Sequence, residues 1–366
     1  MRVMKQICQN RFALKTARLA ALGALLFFAG SEAALGAANF VCVTTSAGLQ
    51  QALTDASNGG IHVNDDNIIE LVAGTYKTGA ATGNAPFFFH TTNSTASLTI
   101  FGGFAPGCGS VGRQPASATI LDGRGMTGVM TLRSANGSIG VTHVTIQNGE
   151  SAEPGAGLQI NYLVTVNAHA QVDHTIIRHN HSTGNAGGLY ISGTGPAGQT
   201  TVFVGNSLIV DNSADGNYGA VYMAAYGNNS EVDNSTIWGN TAAASTNRVG
   251  GLYCGGTATC NVFNTIAYNN STVGMYFEIP GAVICDDYGA IGGAVPAFSS
   301  GNVSTPPMFV DSANDDYHLS SASPLFGLCL AYSGFPDLDD LPFPAHGKED
   351  LGAYNDTLFT DGFDGS

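Results

Sequence analysis

The sequence predicts an all-β chain wound as a single-stranded parallel β-helix, and three observations predict it. An apolar-then-Asn phrase comes five times: Val144-Thr145-Ile146-Gln147-Asn148, Ile176-Ile177-Arg178-His179-Asn180, Leu208-Ile209-Val210-Asp211-Asn212, Thr236-Ile237-Trp238-Gly239-Asn240 and Thr265-Ile266-Ala267-Tyr268-Asn269. The closing Asn residues stand at 148, 180, 212, 240 and 269, so the steps are 32, 32, 28 and 29. A second phrase interleaves with the first: Gly157-Leu158-Gln159-Ile160, Gly188-Leu189-Tyr190-Ile191, Ala220-Val221-Tyr222-Met223 and Gly251-Leu252-Tyr253-Cys254, at steps of 31, 32 and 31. Finally, the runs are short, alternate, and are bounded by Gly, Asn, Ser and Asp, with no helical stretch long enough for a crossover. Two ladders at one period mean one repeated unit. Each unit is then one coil, stacked on the last at about 4.8 Å.

Alternation assigns the faces. Leu189, Ile191, Val221, Met223, Leu252 and Cys254 point into the coil, as do Ile177, Ile209 and Ile237. Gln159, Tyr190, Tyr222 and Tyr253 point out, as do Arg178, Val210 and Trp238. The closing Asn suits a turn, because Asn tolerates the left-handed conformation and bonds neighbouring backbone. Stacked Asn side chains can also bond one another.

Taken in order, the chain opens with Arg2, Lys5, Arg11, Lys15 and Arg18, then the apolar run 19–29, then small residues to Ala37-Ala38. That is the pattern of a secretory leader over residues 1–38. The apolar run is too short to span a membrane comfortably. Without residues 1–38 the chain keeps 7 basic and 26 acidic groups, a net −19. Such a charge argues against nucleic acid and anionic membranes as partners. Six cysteines remain, Cys42, Cys108, Cys254, Cys260, Cys285 and Cys329, an even number with 15 connectivities in an exported chain. The favoured pairing is Cys254–Cys260, which only five residues separate. Cys42–Cys108 and Cys285–Cys329 would then staple the two ends.

Residues 39–97 are predicted as the N-terminal cap and first coils. Phe40 to Val43 reads as a strand. Residues 46–58 read as a helix, with Leu49, Ala52, Leu53 and Ala56 at helical spacing, Ser46 as N-cap and Gly59-Gly60 as the stop. This helix plugs the open end of the coil, as solenoids require. The parallel β-helix proper is predicted over 98–308, with six to eight coils and irregular ones after residue 280. Residues 309–356 form a C-terminal capping segment, and 357–366 an acidic, aromatic tail.

Several phrases carry a family resemblance: Leu98 to Phe104, Thr119-Ile120-Leu121-Asp122-Gly123, and the Asn and Gly-Gly-Leu-Tyr ladders. They resemble secreted bacterial right-handed parallel β-helix proteins of the pectin-lyase-like superfamily, including polymorphic outer-membrane-protein-like chains. Phe309-Val310-Asp311, Asp316-Tyr317-His318-Leu319, Ser323-Pro324 and Asp350-Leu351-Gly352-Ala353-Tyr354 are similar to the closing segment of choice-of-anchor β-helix proteins. The resemblance spans most of residues 40–355. It implies a right-handed coil in a protein that is secreted or held at the outer cell surface. It names no single function, because the superfamily hosts lyases, hydrolases, tailspikes and adhesins.

Three groups are candidate sites. Tyr190, Tyr222 and Tyr253 form an outward aromatic column, with Trp238 on another strand as a further ligand-binding residue. Flat rings with a hydroxyl at the rim suit sugars; equally, such a column can simply stiffen a sheet. Arg178, His179 and Asp211 could supply the base and cation of a lyase, or form a solvated turn with a surface ion pair. Asp211 and Asp215 could hold Ca²⁺, though not at EF-hand spacing. Asp173 and Asp233 lie two coils apart, at a separation suited to an inverting carboxylate pair. Isolated histidines such as His90, His143 and His318 read as structural. The polygalacturonase-like set of Asn-x-Asp, Asp-Asp, Gly-His-Gly and Arg-x-Lys has no match. The expected function is non-catalytic binding of extracellular polysaccharide or cell-surface glycan, or an adhesive surface. The alternative is a polysaccharide lyase or glycoside hydrolase acting on acidic polysaccharide.

Overall fold

The structure is a computed structural model that describes residues 37–109, 113–163, 167–193, 199–226, 230–243, 248–279, 281–330, 336–341 and 348–355. Most of the expected leader over residues 1–38 and all of the 357–366 tail lie outside the described residues. The body is a parallel β-helix. Among the described residues the coil strands pair in parallel with their counterparts one coil away. The two antiparallel strand pairs lie in the C-terminal segment, beside a single antiparallel bridge between Thr200 and Tyr226. One face carries eight strands, from Phe87–His90 to Ile291–Gly293. A sixteen-stranded sheet wraps a corner to make two further faces, and a four-stranded ribbon completes the turn.

The inward residues are those the alternation assigned. Leu158, Leu189, Val221, Leu252 and Met275 stand in one register row, and Ile146, Ile177, Ile209, Ile237 and Ala267 in another. All belong to one apolar cluster running from Val43 to Val283. At the start, the helix Ser46–Ala56 (α1) lays Leu49, Ala52, Leu53 and Ala56 onto this core. Its cap is Thr45 rather than Ser46: the Thr45 hydroxyl accepts from Gly48 N at 3.0 Å, while Ser46 Oγ accepts from Lys77 N. The first strand, Ala38–Val43, begins at the expected cleavage junction and pairs with Asp66–Val72.

The Asn ladder exists, with a shift at its two ends. Asn180 donates to Asn212, Asn212 to Asn240 and Asn240 to Asn270, at 2.9, 3.0 and 2.9 Å. Each amide also donates to an inward strand carbonyl of the preceding coil: Ile146, Ile177, Ile209 and Ile237 for Asn180, Asn212, Asn240 and Asn270. Asn148 and Asn269 sit one position earlier, in a left-handed column with His179, Asp211 and Gly239. Gly149 takes the first rung and donates its N–H to Asn180 Oδ1. The Gly-Gly before each Leu-Tyr lies against this ladder. A Cβ on Gly188 would come within 2.6 Å of the Ala220 carbonyl and 3.1 Å of the Asn212 amide.

Two expectations need correction. Past residue 280 the coil does not become irregular: after Met275–Phe277, the strands Ala282–Ile284, Asp287–Tyr288, Ile291–Gly293 and Phe298–Ser300 extend the same faces. The loops shorten, so Leu252 pairs with Met275 and Met275 with Ile291, and the period collapses while stacking continues. Second, Val210 and Trp238 point outward but are not left to solvent. The segment from 309 folds back along that face, and Tyr317, Leu338, Ala353, Tyr354 and Phe309 cluster with Ile176, Leu208, Val210 and Trp238. The unbroken apolar runs Ile176-Ile177 and Leu208-Ile209-Val210 are the reason, since strands apolar on both sides need cover on both.

The three disulfides are Cys42–Cys108, Cys254–Cys260 and Cys285–Cys329. The first staples the initial strand to the loop after Leu98–Phe104, and the last ties the C-terminal segment to the final coils. No helix among the described residues is long and apolar enough to cross a membrane.

Candidate functional site

The aromatic column is longer than three rings. In register, Gln159 is followed by Tyr190, Tyr222, Tyr253 and Tyr276. Ring centroids are 4.7, 5.1 and 5.3 Å apart, and the planes lie within 12° of parallel. Tyr218 leans on Tyr222 and Tyr253 at 4.8 and 4.5 Å. Gln159 points the same way but is buried. Tyr276 belongs to the same phrase, Gly274-Met275-Tyr276-Phe277, and only the shortened period hides it.

Stacking dictates what this face can do. The rings cover one another, so a ligand meets their outer edges and hydroxyls. Burial, then the neighbouring tyrosines, pushes the Tyr222 hydroxyl well above its usual range. Burial and the bond to Glu278 do the same for Tyr253. Both therefore remain protonated donors at any physiological pH. Tyr253 donates to Glu278 Oε1, while Gly256 N donates to Oε2 at 3.0 Å. The result is a row of phenols ended by an oriented carboxylate, partly open to solvent.

Trp238 is not part of this face. It stacks on Tyr268 at 6.0 Å and meets Phe309 edge-on at 5.1 Å, under the C-terminal segment. The same segment engages the Arg178 group. Arg178 Nη1 pairs with Asp315 Oδ2 at 2.7 Å, and its Nε and Nη2 donate to Gln147 Oε1. His179 Nε2 lies 3.5 Å from Asp315. Asp211 accepts the Tyr317 hydroxyl at 2.8 Å. Residues 315–317 thus hold Arg178 and Asp211 in their present contacts, while Asp211 and His179 remain exposed. Asp215 is exposed and stands 3.9 Å from His181 Nε2, with Asp211 turned to Tyr317 instead. No observation joins Asp211 and Asp215 around a cation.

Asp173, Gly205 and Asp233 do lie in successive rungs. Both carboxylates are buried, however. Burial opposes ionisation of Asp173, yet His174 and Asn206 outweigh it and hold its carboxyl below the usual range. Beside it, His143 and His174 stack at 4.7 Å with Asp340 against them. Among the described residues this is the group of histidines and carboxylates whose potential ligand atoms all lie within 4.8 Å of one another. Sequence reasoning treated His143 as isolated, because its neighbours come from 31 and 197 residues away. Neither family models nor curated protein sequences give a match to this chain.

Proposed function

We propose that this is an exported β-helix protein, of the pectin-lyase-like kind the sequence resembles, that binds an extended extracellular polysaccharide or cell-surface glycan along its tyrosine face without cleaving it. The observation that carries the reading is the four-ring column of Tyr190, Tyr222, Tyr253 and Tyr276, whose rings stack at 4.7–5.3 Å and line up their hydroxyl edges on one face, with the Tyr253 hydroxyl bonded to Glu278. Sugar units in a stretched polymer offer hydroxyls along one line, and a rigid row of donors meets them with little ordering cost. Glu278 supplies an acceptor at one end. Three disulfides and the acidic surface suit an oxidising, exterior setting. A lyase or hydrolase reading centred on Arg178, His179 and Asp211 would have to work with side chains already engaged by Asp315 and Tyr317. A pull-down and glycan array comparing wild type with a Tyr190/Tyr222/Tyr253 triple alanine variant tests the proposal. Binding lost in the folded variant is expected, and unchanged binding rejects it. Unsaturated products absorbing in the near ultraviolet would favour the lyase instead.

A further inference from the structure

We propose that His143, His174 and Asp340 form a site for one divalent transition metal, of the zinc class, between a corner of the coil and the C-terminal segment. The two histidines are consecutive rungs of one column, because Thr142 pairs with Asp173. Both take the left-handed conformation, with φ of 56° and 46°, at the corner where later coils place Asn206, Asn234 and Asn264. Both are buried, at 5 % exposure.

Polar contacts sort the four ring nitrogens into two kinds, three of them through hydrogen bonds and His174 Nδ1 through an ion-pair contact. The Nδ1 atoms are held within the coil. His143 Nδ1 meets Thr142 Oγ1 at 2.7 Å, and His174 Nδ1 lies 3.1 Å from Asp173 Oδ1. Asp173 is itself held by Asn206 Nδ2 at 3.0 Å. The Nε2 atoms both face residues 336–341: His143 Nε2 is 3.1 Å from Asp340 Oδ1, and His174 Nε2 is 3.1 Å from the Pro336 carbonyl. An Nδ1 held by a carboxylate or hydroxyl, leaving Nε2 for an ion, is how metal-binding histidines are oriented. The rings stack within 8° of parallel, so both must tilt toward Asp340 to share one ion. Asp340 Oδ2 is buried and lacks a hydrogen-bond partner.

The donor set decides the ion. Two imidazoles and one carboxylate suit zinc, copper, iron or nickel, whereas calcium and magnesium call for oxygen cages. Ligand atoms within 4.8 Å of one another need to close only modestly, since tetrahedral zinc holds its donors roughly 3–3.5 Å apart. Asp340 and Asp173 offset the ion's charge. Arg113 lies over the Phe101 ring, close enough for its charge to act on His143 and Asp340, so the two carboxylates must offset it as well as the ion. Binding would replace the Nε2 protons and pin residues 336–341 to the coil. Leu338, in the same stretch, seals the apolar cover over Ile176.

The test uses untagged mature protein stripped with chelator and titrated with Zn²⁺ by calorimetry and chelator competition. One ion per chain is expected, with a rise in the thermal midpoint. Asp340→Asn should weaken binding at least tenfold and His143→Gln likewise. Asp173→Asn, acting through His174, should cost about 10–100-fold. Asp340 is partly exposed, so its Asn variant keeps the proposal testable if a histidine variant misfolds. No stoichiometric zinc, or unchanged affinity in folded Asp340→Asn, overturns the site. Calcium binding in place of zinc overturns the metal class.

Discussion

The side chains that set the register of the coil are amides. Asn212 is buried, accepts from Asn180, and donates to Ile177, Val210 and Asn240. Asn212→Ala would strand backbone and amide partners on both sides, so a loss of about 1–3 kcal/mol is expected. Thermal or denaturant unfolding measures it, and an unchanged midpoint would mean the ladder adds no stability. Tyr222 is the matching residue on the open face. Tyr222→Ala is expected to weaken polymer binding by about 1–2 kcal/mol, near tenfold, while folding changes less because the ring is outside the core. Affinity electrophoresis on the bound polymer checks this. At this scale the sequence was legible to within one position. Asn180, Asn212 and Asn240 were placed correctly. Asn148 and Asn269 were set one residue out, because a left-handed turn favours Asn as strongly as a ladder rung does.

Among the elements, the face covered by the C-terminal segment matters most. Its outward Ile176, Leu208 and Val210 need apolar cover, and Leu338 is the buried plug of that cover. Leu338→Ala is expected to cost about 2–5 kcal/mol, the range for emptying a buried leucine site. A fall in the cooperative unfolding midpoint checks it. A second element, the late strand Asp287–Tyr288, carries a fully buried acid. Asp287 Oδ1 accepts from Thr305 N, Oδ2 has no hydrogen-bond partner, and burial raises the carboxyl to about 7. The folded protein therefore holds a proton there that the unfolded chain releases near its ordinary value of 3.8. Stability from this group is complete below about 4 and is lost as pH rises through 7. Relative to wild type, Asp287→Asn should be more stable at pH 7.5 than at pH 4.5. Melting curves showing the same difference at both pH values would contradict this.

For the body from residue 37 to 355, the six cysteines close three loops of very different length, separated by 66, 6 and 44 residues. A chain lacking residues 1–38, and so Cys8, is expected to show no free thiol when unfolded without reductant. Thiol titration finding one or more would contradict the pairing. Reduction should destabilise the two ends most, because closing long loops restricts the unfolded chain more than closing the short Cys254–Cys260 loop.

The fold class, the inward rows, the aromatic column and the cysteine partners followed from the chain alone, because a coil repeats one local pattern and alternation fixes each side chain's face. Loop length broke that legibility: when the step fell after Cys254, Tyr276 and the last coils dropped out of the period although the stacking did not change. What covers a face lay beyond the sequence. Asp315 and Tyr317 meet Arg178 and Asp211, and Asp340 meets His143, across separations of 106 to 197 residues. Nothing periodic links such partners. Only the packing of the returning segment against an apolar flank decides which polar groups are brought together, and so which of them are sealed and which remain open on the tyrosine face.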